Sequence, residues 1–239
     1  MDAETFVKQL GAANQEILDR LAPAETLVAE SSGDLRLENL LKIALKNELE
    51  ATELAARWLV SSDDVDIKLA LARQAGDEAK HYRLIVQHLH ELGVDLHDFD
   101  PLAQGYGPLF TYLDTLTDPV ERMAAGPFTR EAIAVVKNQQ FIDWCKAGGH
   151  QATADLYHNI IQPDEAYHHL LGRDLLLRLA TTPEAQERAA RAATHTLELA
   201  EELQHLALTK MGCTTPLVAE RFKQRPPQRT GAAVDIQTL

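Results

Sequence analysis

The pattern Asp-Glu-Ala-x-His occurs twice, as Asp77-Glu78-Ala79-Lys80-His81 and as Asp164-Glu165-Ala166-Tyr167-His168, 87 residues apart. The repeat constrains the fold at once, because a Glu and a His three positions apart share a face when the chain is helical. On that face each copy presents a carboxylate and an imidazole to one point. A lone Glu-x-x-His carries little information; about one is expected by chance in a chain with many Glu and ten His. A third copy, Glu202-Leu203-Gln204-His205, is also present, so the surrounding helical pattern has to discriminate among them.

Apolar residues at three-to-four spacing predict helices over 3–21, 35–61, 65–92, 119–147, 150–180 and 184–211, and no segment shows strand alternation. The fold class is all-α. Ser61-Ser62-Asp63-Asp64 and Gly148-Gly149 are short connections, which make antiparallel hairpins of the helices they join. About 25 residues separate the hairpins, with Pro101, Gly105, Gly107, Pro108 and a short apolar piece at 109–116, a length that suits a crossover along a bundle. The repeated motif lies on the second helix of each hairpin, as in a duplicated unit.

Projection at about 100° per residue places Glu78 on the stripe Leu71, Ala75, Tyr82, Ile85 and Leu89, with His81 at its edge. Glu165 and His168 fall among Ala154, Tyr157, Ile161, Gly172, Leu175 and Leu179. Glu202 and His205 instead cluster with His195 and Glu198, opposite Leu199, Leu203 and Ala207, as on a solvated face. Glu48 lies on the stripe Leu37, Leu41, Ala44, Ala51, Ala55 and Leu59, whereas Glu50 and Glu53 are expected to face solvent. Glu131 shares a face with Ala134, Val135, Asn138, Phe141 and Ile142. Glu48 and Glu78 are each 15 residues from Asp63, and Glu131 and Glu165 each 17 from residue 148, so antiparallel hairpins bring all four carboxylates to one level. Buried charge of this kind costs several kcal/mol per ion unless compensated, and a bound cation is the simplest compensation. Ion pairing among the six side chains in a purely structural bundle is the alternative.

One Glu from each of two helices plus Glu-x-x-His from each of two others resembles the ligand set of ferritin-like di-iron and di-manganese carboxylate proteins, over about residues 35–180. The resemblance implies a ferritin-like four-helix bundle with a long crossover, to which 3–21 and 184–211 add an N-terminal and a C-terminal helix. It implies that Glu78 and Glu165 bridge two metal ions, that Glu48 and His81 complete one, and that Glu131 and His168 complete the other. The preceding acids are similar to those of bacterioferritins: Asp77 would hold His168 and Asp164 would hold His81, fixing the imidazole tautomers. The run 77–93 resembles ferritin-like domains of uncharacterised function and, less closely, tRNA-modifying di-iron hydroxylases. Rubrerythrins carry a further metal-facing Glu and usually a four-Cys iron domain, where this chain has Ala51, Ala134, Asn138 and two cysteines. Ferritins and bacterioferritins are shorter.

The cofactors so implied are two iron ions, or a Mn/Fe or Mn/Mn pair, with O2 as co-substrate. The function implied is an oxidase or monooxygenase acting on a small-molecule substrate, with an electron-donor protein as partner; a homodimer is compatible with the chain. Ala44, Ala51, Thr52, Ala55 and Ala134 around the site would either leave room for that substrate or permit close helix packing. A ferroxidase or iron-handling protein is the second reading. Pro163 is expected to kink or widen the helix beside the site, and Tyr82, Tyr157 and Tyr167 lie near the ligands as packing residues or electron relays.

The net charge of -13 argues against nucleic acid, including tRNA, because phosphate backbones are bound by clustered cations. Cys145 and Cys213 form no paired motif and read as buried thiols. A single domain is expected over 1–217, with a tail at 218–239 that carries the basic cluster Arg221–Arg229. No stretch reaches the roughly 18 uninterrupted apolar residues of a membrane span. Asp2, Glu4 and Lys8 stand where a secretion signal would be apolar, so a cytoplasmic location is expected.

Overall fold

Asp2, Asp64 and Asp118 each start a helix in the computed structural model, which describes residues 1–23, Leu27 and 33–210, Lys210 by its backbone alone. Their carboxylates accept from first-turn N–H groups that have no partner within the helix: Thr5 N at 2.8 Å, Ile67 N at 3.0 Å and Val120 N at 2.9 Å. The helices are α1 (Ala3–Leu21), α2 (Leu37–Ser61), α3 (Val65–Glu91) and a short α4 (Pro108–Asp114) in the crossover. Helix α5 runs from Pro119–Met123 through a π-helical segment, Ala124–Arg130, into Glu131–Ala147. Helix α6 likewise runs from Gln151–Leu156 through a π-helical Tyr157–Ile161 into Gln162–Leu179, and α7 is Pro183–Lys210. Among the described residues there is no strand, and no helix is long and apolar enough to cross a membrane. Cys213, the Arg221–Arg229 cluster and the rest of the expected tail at 218–239 lie outside the described residues.

Helices α2 and α3 pack along their length as an antiparallel pair, and α5 pairs with α6. The second turn needs Gly149, whose φ of 78° lies in the left-handed region that favours glycine. Helices α1 and α7 pack on each other and against α5, and α1 also packs against α6, with Leu18, Leu21, Ile133 and Leu197 in the shared cluster. Cys145 is fully buried, as expected, and burial pushes its thiol up to about 12.

Two apolar layers are separated by a polar one. One layer holds Leu54, Trp58, Leu71, Met123, Phe128 and Leu176; the other holds Leu41, Leu45, Ile85, Leu89, Ile142 and Ile161. Helices α2, α3, α5 and α6 each cross from one layer to the other, and at the crossing level they carry Glu48, Glu78, Glu131 and Glu165. Alternation along each helix therefore seals the acids from both ends of the core.

The two π-helical segments were only half foreseen. Pro163 lacks the N–H for an intrahelical bond, and its ring crowds the carbonyl four residues back. The wider Tyr157–Ile161 turn immediately before it accommodates both effects. The α5 segment contains Gly126-Pro127, the same kind of breaker inside a helix expected to be uninterrupted. Here α5, α2 and α6 approach closely: a Cβ on Gly126 would lie 2.5 Å from Trp58 Cζ3, and one on Gly172 would lie 2.4 Å from Phe128 N. His169 Nδ1 donates to the Phe128 carbonyl at 2.7 Å, and Asn14 Nδ2 donates to Thr129 Oγ1 at 3.0 Å. The segment that leads into Glu131 is thus clamped from α6 and α1.

Gly172→Ala is expected to lower stability by about 1–3 kcal/mol, because the added methyl meets backbone that cannot swing away. Gly76→Ala, in α3 with no atom within 4 Å of the new Cβ, is expected to raise it by about 0.4–1 kcal/mol. Urea unfolding midpoints of the two variants check the pair; equal shifts would contradict the close approach at Gly172.

Candidate metal centre

Glu78 and His81 sit one turn apart on α3, and Glu165 and His168 one turn apart on α6, so each helix directs a carboxylate and an imidazole inward. All four are at most 3% exposed, and Glu48 and Glu131 join them at 7% and 1%. The six side chains form two overlapping groups, Glu48, Glu78, His81 and Glu165, and Glu78, Glu131, Glu165 and His168. Within each group the candidate ligand atoms lie within 4.8 Å of one another. Metal–ligand bonds of about 2.0–2.2 Å span nearly that separation, so each group can hold a metal ion after a contraction of a few tenths of an ångström. Glu78 and Glu165 belong to both groups.

The imidazoles are oriented alike. His81 turns Nδ1 toward Glu48 Oε2 and Glu78 Oε2, each at 3.3 Å, and Nε2 toward Asp164 Oδ2 at 3.0 Å. His168 turns Nδ1 toward Glu78 Oε1 at 3.4 Å and Glu165 Oε2 at 3.5 Å, and Nε2 toward Asp77 Oδ2 at 3.2 Å. Asp77 and Asp164 therefore meet the histidine of the opposite hairpin, the arrangement the sequence resemblance implied. A carboxylate at Nε2 keeps a proton there, so Nδ1 is the nitrogen left to face inward and, once deprotonated, to bind a metal. Lys80 bridges the two acids, with Nζ 2.5 Å from Asp164 Oδ2 and 3.6 Å from Asp77 Oδ1.

Four buried atoms of the cluster have no hydrogen-bond partner among the described residues: Glu78 Oε1, Glu131 Oε2, Glu165 Oε2 and His168 Nδ1. Leaving a buried polar atom unsatisfied costs about 1–3 kcal/mol, more when it is charged. Three carboxylate oxygens and one imidazole nitrogen, all lone-pair donors at one place, are what a divalent cation binds. The residues fit such an ion.

Without metal, protons carry the compensation. Burial alone would lower both imidazoles, but the surrounding carboxylates outweigh it and hold His81 and His168 up to about 11. Burial pushes Glu48 up to about 7, and burial with the nearby Glu78 and Glu131 raises Glu165 well above the ordinary carboxylate range. Glu78 goes the other way despite its burial, because both imidazoles turn Nδ1 toward it and favour its charged form.

Sequence reading missed three polar neighbours. Gln74 Nε2 donates to Glu131 Oε1 at 2.7 Å, and Arg130 Nη1 lies 3.0 Å from the same oxygen, which leaves Oε2 to face inward. Gln74 is four residues before Glu78 and is a polar residue on an apolar stripe, a legible signal. Arg130 was not, since residues adjacent on an α-helix do not share a face. Glu50, expected in solvent, is buried at 9%; its Oε1 accepts from Gly107 N at 2.6 Å and ties the crossover to α2. Glu202 and His205 are half-buried and belong to neither donor group.

A cavity of about 320 Å³ opens beside the cluster, lined on one side by Glu48, Glu78, Glu131 and Glu165. Crossover residues 107–110 and Leu203 of α7 close its outer wall. Of the small residues expected to leave room for a substrate, Ala44 and Ala134 line it. Ala51 and Ala55 are buried in the packing of α2, and Thr52 bonds the Glu48 carbonyl through its hydroxyl.

Divalent metals and protons compete for these donors. Glu48 is protonated below about 7 and ionised above it, so affinity for Mn2+ is expected to fall as pH falls, by about tenfold for each proton displaced per pH unit. Calorimetry in buffers of different ionisation enthalpy should show protons released on binding; pH-independent affinity without release would contradict the site. Comparison with protein-family models, with curated proteins and with solved structures found no match, so what can be said of this centre rests on its own residues.

Proposed function

We propose that the protein is a ferritin-like oxidase or monooxygenase, with a di-iron or mixed manganese–iron centre between four helices, α2, α3, α5 and α6. The observation that carries this reading is the pair of overlapping donor groups sharing Glu78 and Glu165, set beside a cavity. Two redox-active ions held there supply the activation of O2. Glu48 with His81 and Glu131 with His168 complete the two sites. Asp164 and Asp77 keep the protons at Nε2 of the histidines, and Gln74 with Arg130 turns one oxygen of Glu131 inward. The apolar layers above and below exclude water from both ends, so the open approach is the cavity, where a small organic substrate would sit.

Insertion of one oxygen atom of O2 into a C–H bond leaves the other as water and takes up two electrons and two protons. The reductant this requires is assigned to an electron-donor protein. A ferroxidase using the same centre needs an ion path but no pocket for an organic molecule, and the cavity favours the oxidase. Residues that commit this much buried carboxylate to one layer also weigh against a bundle without metal.

Loaded anaerobically with Fe2+, the chain is expected to bind two ions. Glu165→Gln should lose both, because it removes a donor from each group, whereas Glu48→Gln should keep one. Metal analysis checks this directly. Oxygen consumption by the two-iron protein should rise with an organic substrate in a screen and fall by two orders of magnitude or more in Glu165→Gln, about the scale of losing an essential electrostatic group. Consumption that tracks only added Fe2+, in a cage-sized particle, would replace this reading with the ferroxidase.

A further inference from the structure

The cavity wall holds one polar group that the metal site does not use, Tyr157, and one that it uses only in part, Arg130. Tyr157, in the π-helical turn of α6, is 3% exposed, and its hydroxyl is sealed from solvent with no hydrogen-bond partner among the described residues. Buried phenols ordinarily have one. Tyr157 lines the cavity, as does Arg130 at the end of the π-helical segment of α5. A guanidinium has five N–H donors; Arg130 uses Nη1 on Glu131 at 3.0 Å and Nη2 on the Asn47 carbonyl at 3.3 Å. Elsewhere the wall is largely apolar, with Leu54, Phe110, Ile133, Ala134 and Leu203. The volume of about 320 Å³ is at the lower end of small-molecule pockets, about 300–1,000 Å³, and too small for a polymer.

Charge then selects the head group, on the two-ion reading above. Two divalent ions neutralise the four ligand carboxylates as a set. Glu50 lies 3.8 Å from Lys46 and offsets it, whereas Lys137, also on the wall, donates to the neutral Gln204 Oε1 at 3.1 Å and keeps its charge. Arg130 also remains positive, and its partner Glu131 is then shared with an ion. We infer that the cavity binds a small organic anion with a short apolar body, its head group taken by the Tyr157 hydroxyl and the Arg130 guanidinium. The phenol donates its proton to the anion, and the apolar wall takes the body.

The test uses the full chain loaded with Mn2+, its metal content measured first. Binding of hexanoate, hexan-1-ol, hexylammonium and acetate is then compared by calorimetry. Hexanoate is expected to bind about tenfold or more tightly than either hexan-1-ol or acetate, with hexylammonium weakest. Tyr157→Phe should keep both ions and weaken hexanoate by about tenfold, the scale of a hydrogen bond to a charged group. Acetate binding as well as hexanoate would mean that the apolar wall takes no part, and hexan-1-ol binding as well would mean that charge plays no part. Either result, or a Tyr157→Phe protein that binds hexanoate unchanged, overturns the inference and leaves the two-ion reading standing. Fewer than two ions per chain would remove that reading, and the inference with it.

Discussion

Four glutamates held out of water at one level of a helical core impose the condition that the rest of the protein has to meet. Each carboxylate loses its hydration in exchange for neighbours that are largely other carboxylates, and their repulsion grows as the surroundings become less polar. Two imidazoles, one guanidinium and one amide offset part of this. Their arrangement still leaves lone pairs on Glu78, Glu131 and Glu165 without a donor. Protonation of Glu48 and Glu165 and of both histidines is one way to lower that charge, and cations are the other. The site is therefore one that can hold either protons or a metal ion.

Much of the remaining structure keeps that layer fixed. The two apolar clusters bracket it along all four helices, so no helix can slide without moving a carboxylate into an apolar layer. The α5 segment before Glu131 is pinned by Asn14, His169 and the close approach of Gly172. Helix α1 contributes to this clamp, and α7 contributes Leu203 to the cavity wall. The two outer helices are thus part of the site's construction.

The level of the site was legible because it rests on two regularities, the three-residue spacing of Glu and His on a helix and equal distances from a turn. Those rules brought Glu48, Glu78, His81, Glu131, Glu165 and His168 together, and Asp77 and Asp164 followed from the resemblance to bacterioferritins. What was not legible departs from ideal helical geometry or depends on tertiary contact. The α5 π-helical segment breaks the 100° projection just before Glu131, so the contact of Arg130 with the site could not be read from spacing. Glu50 lies off the apolar stripe of its own helix and is buried only because the crossover folds back and offers the Gly107 N–H. Gln74, four residues before Glu78, is legible as a polar residue on an apolar stripe.

The bracketing apolar layers, the shared glutamates and the adjoining cavity together describe a centre open to small molecules from one side, which is why oxidation of an organic substrate is the reading preferred here. That reading depends most directly on where metal ions bind. Anomalous scattering from crystals grown with iron and manganese, recorded at both absorption edges, would locate them. Two peaks are predicted, both within bonding distance of Glu78 and Glu165, one also contacting Glu48 and His81 and the other Glu131 and His168. Density with no peak between these side chains, or with ions bound only to surface acids, would contradict the account.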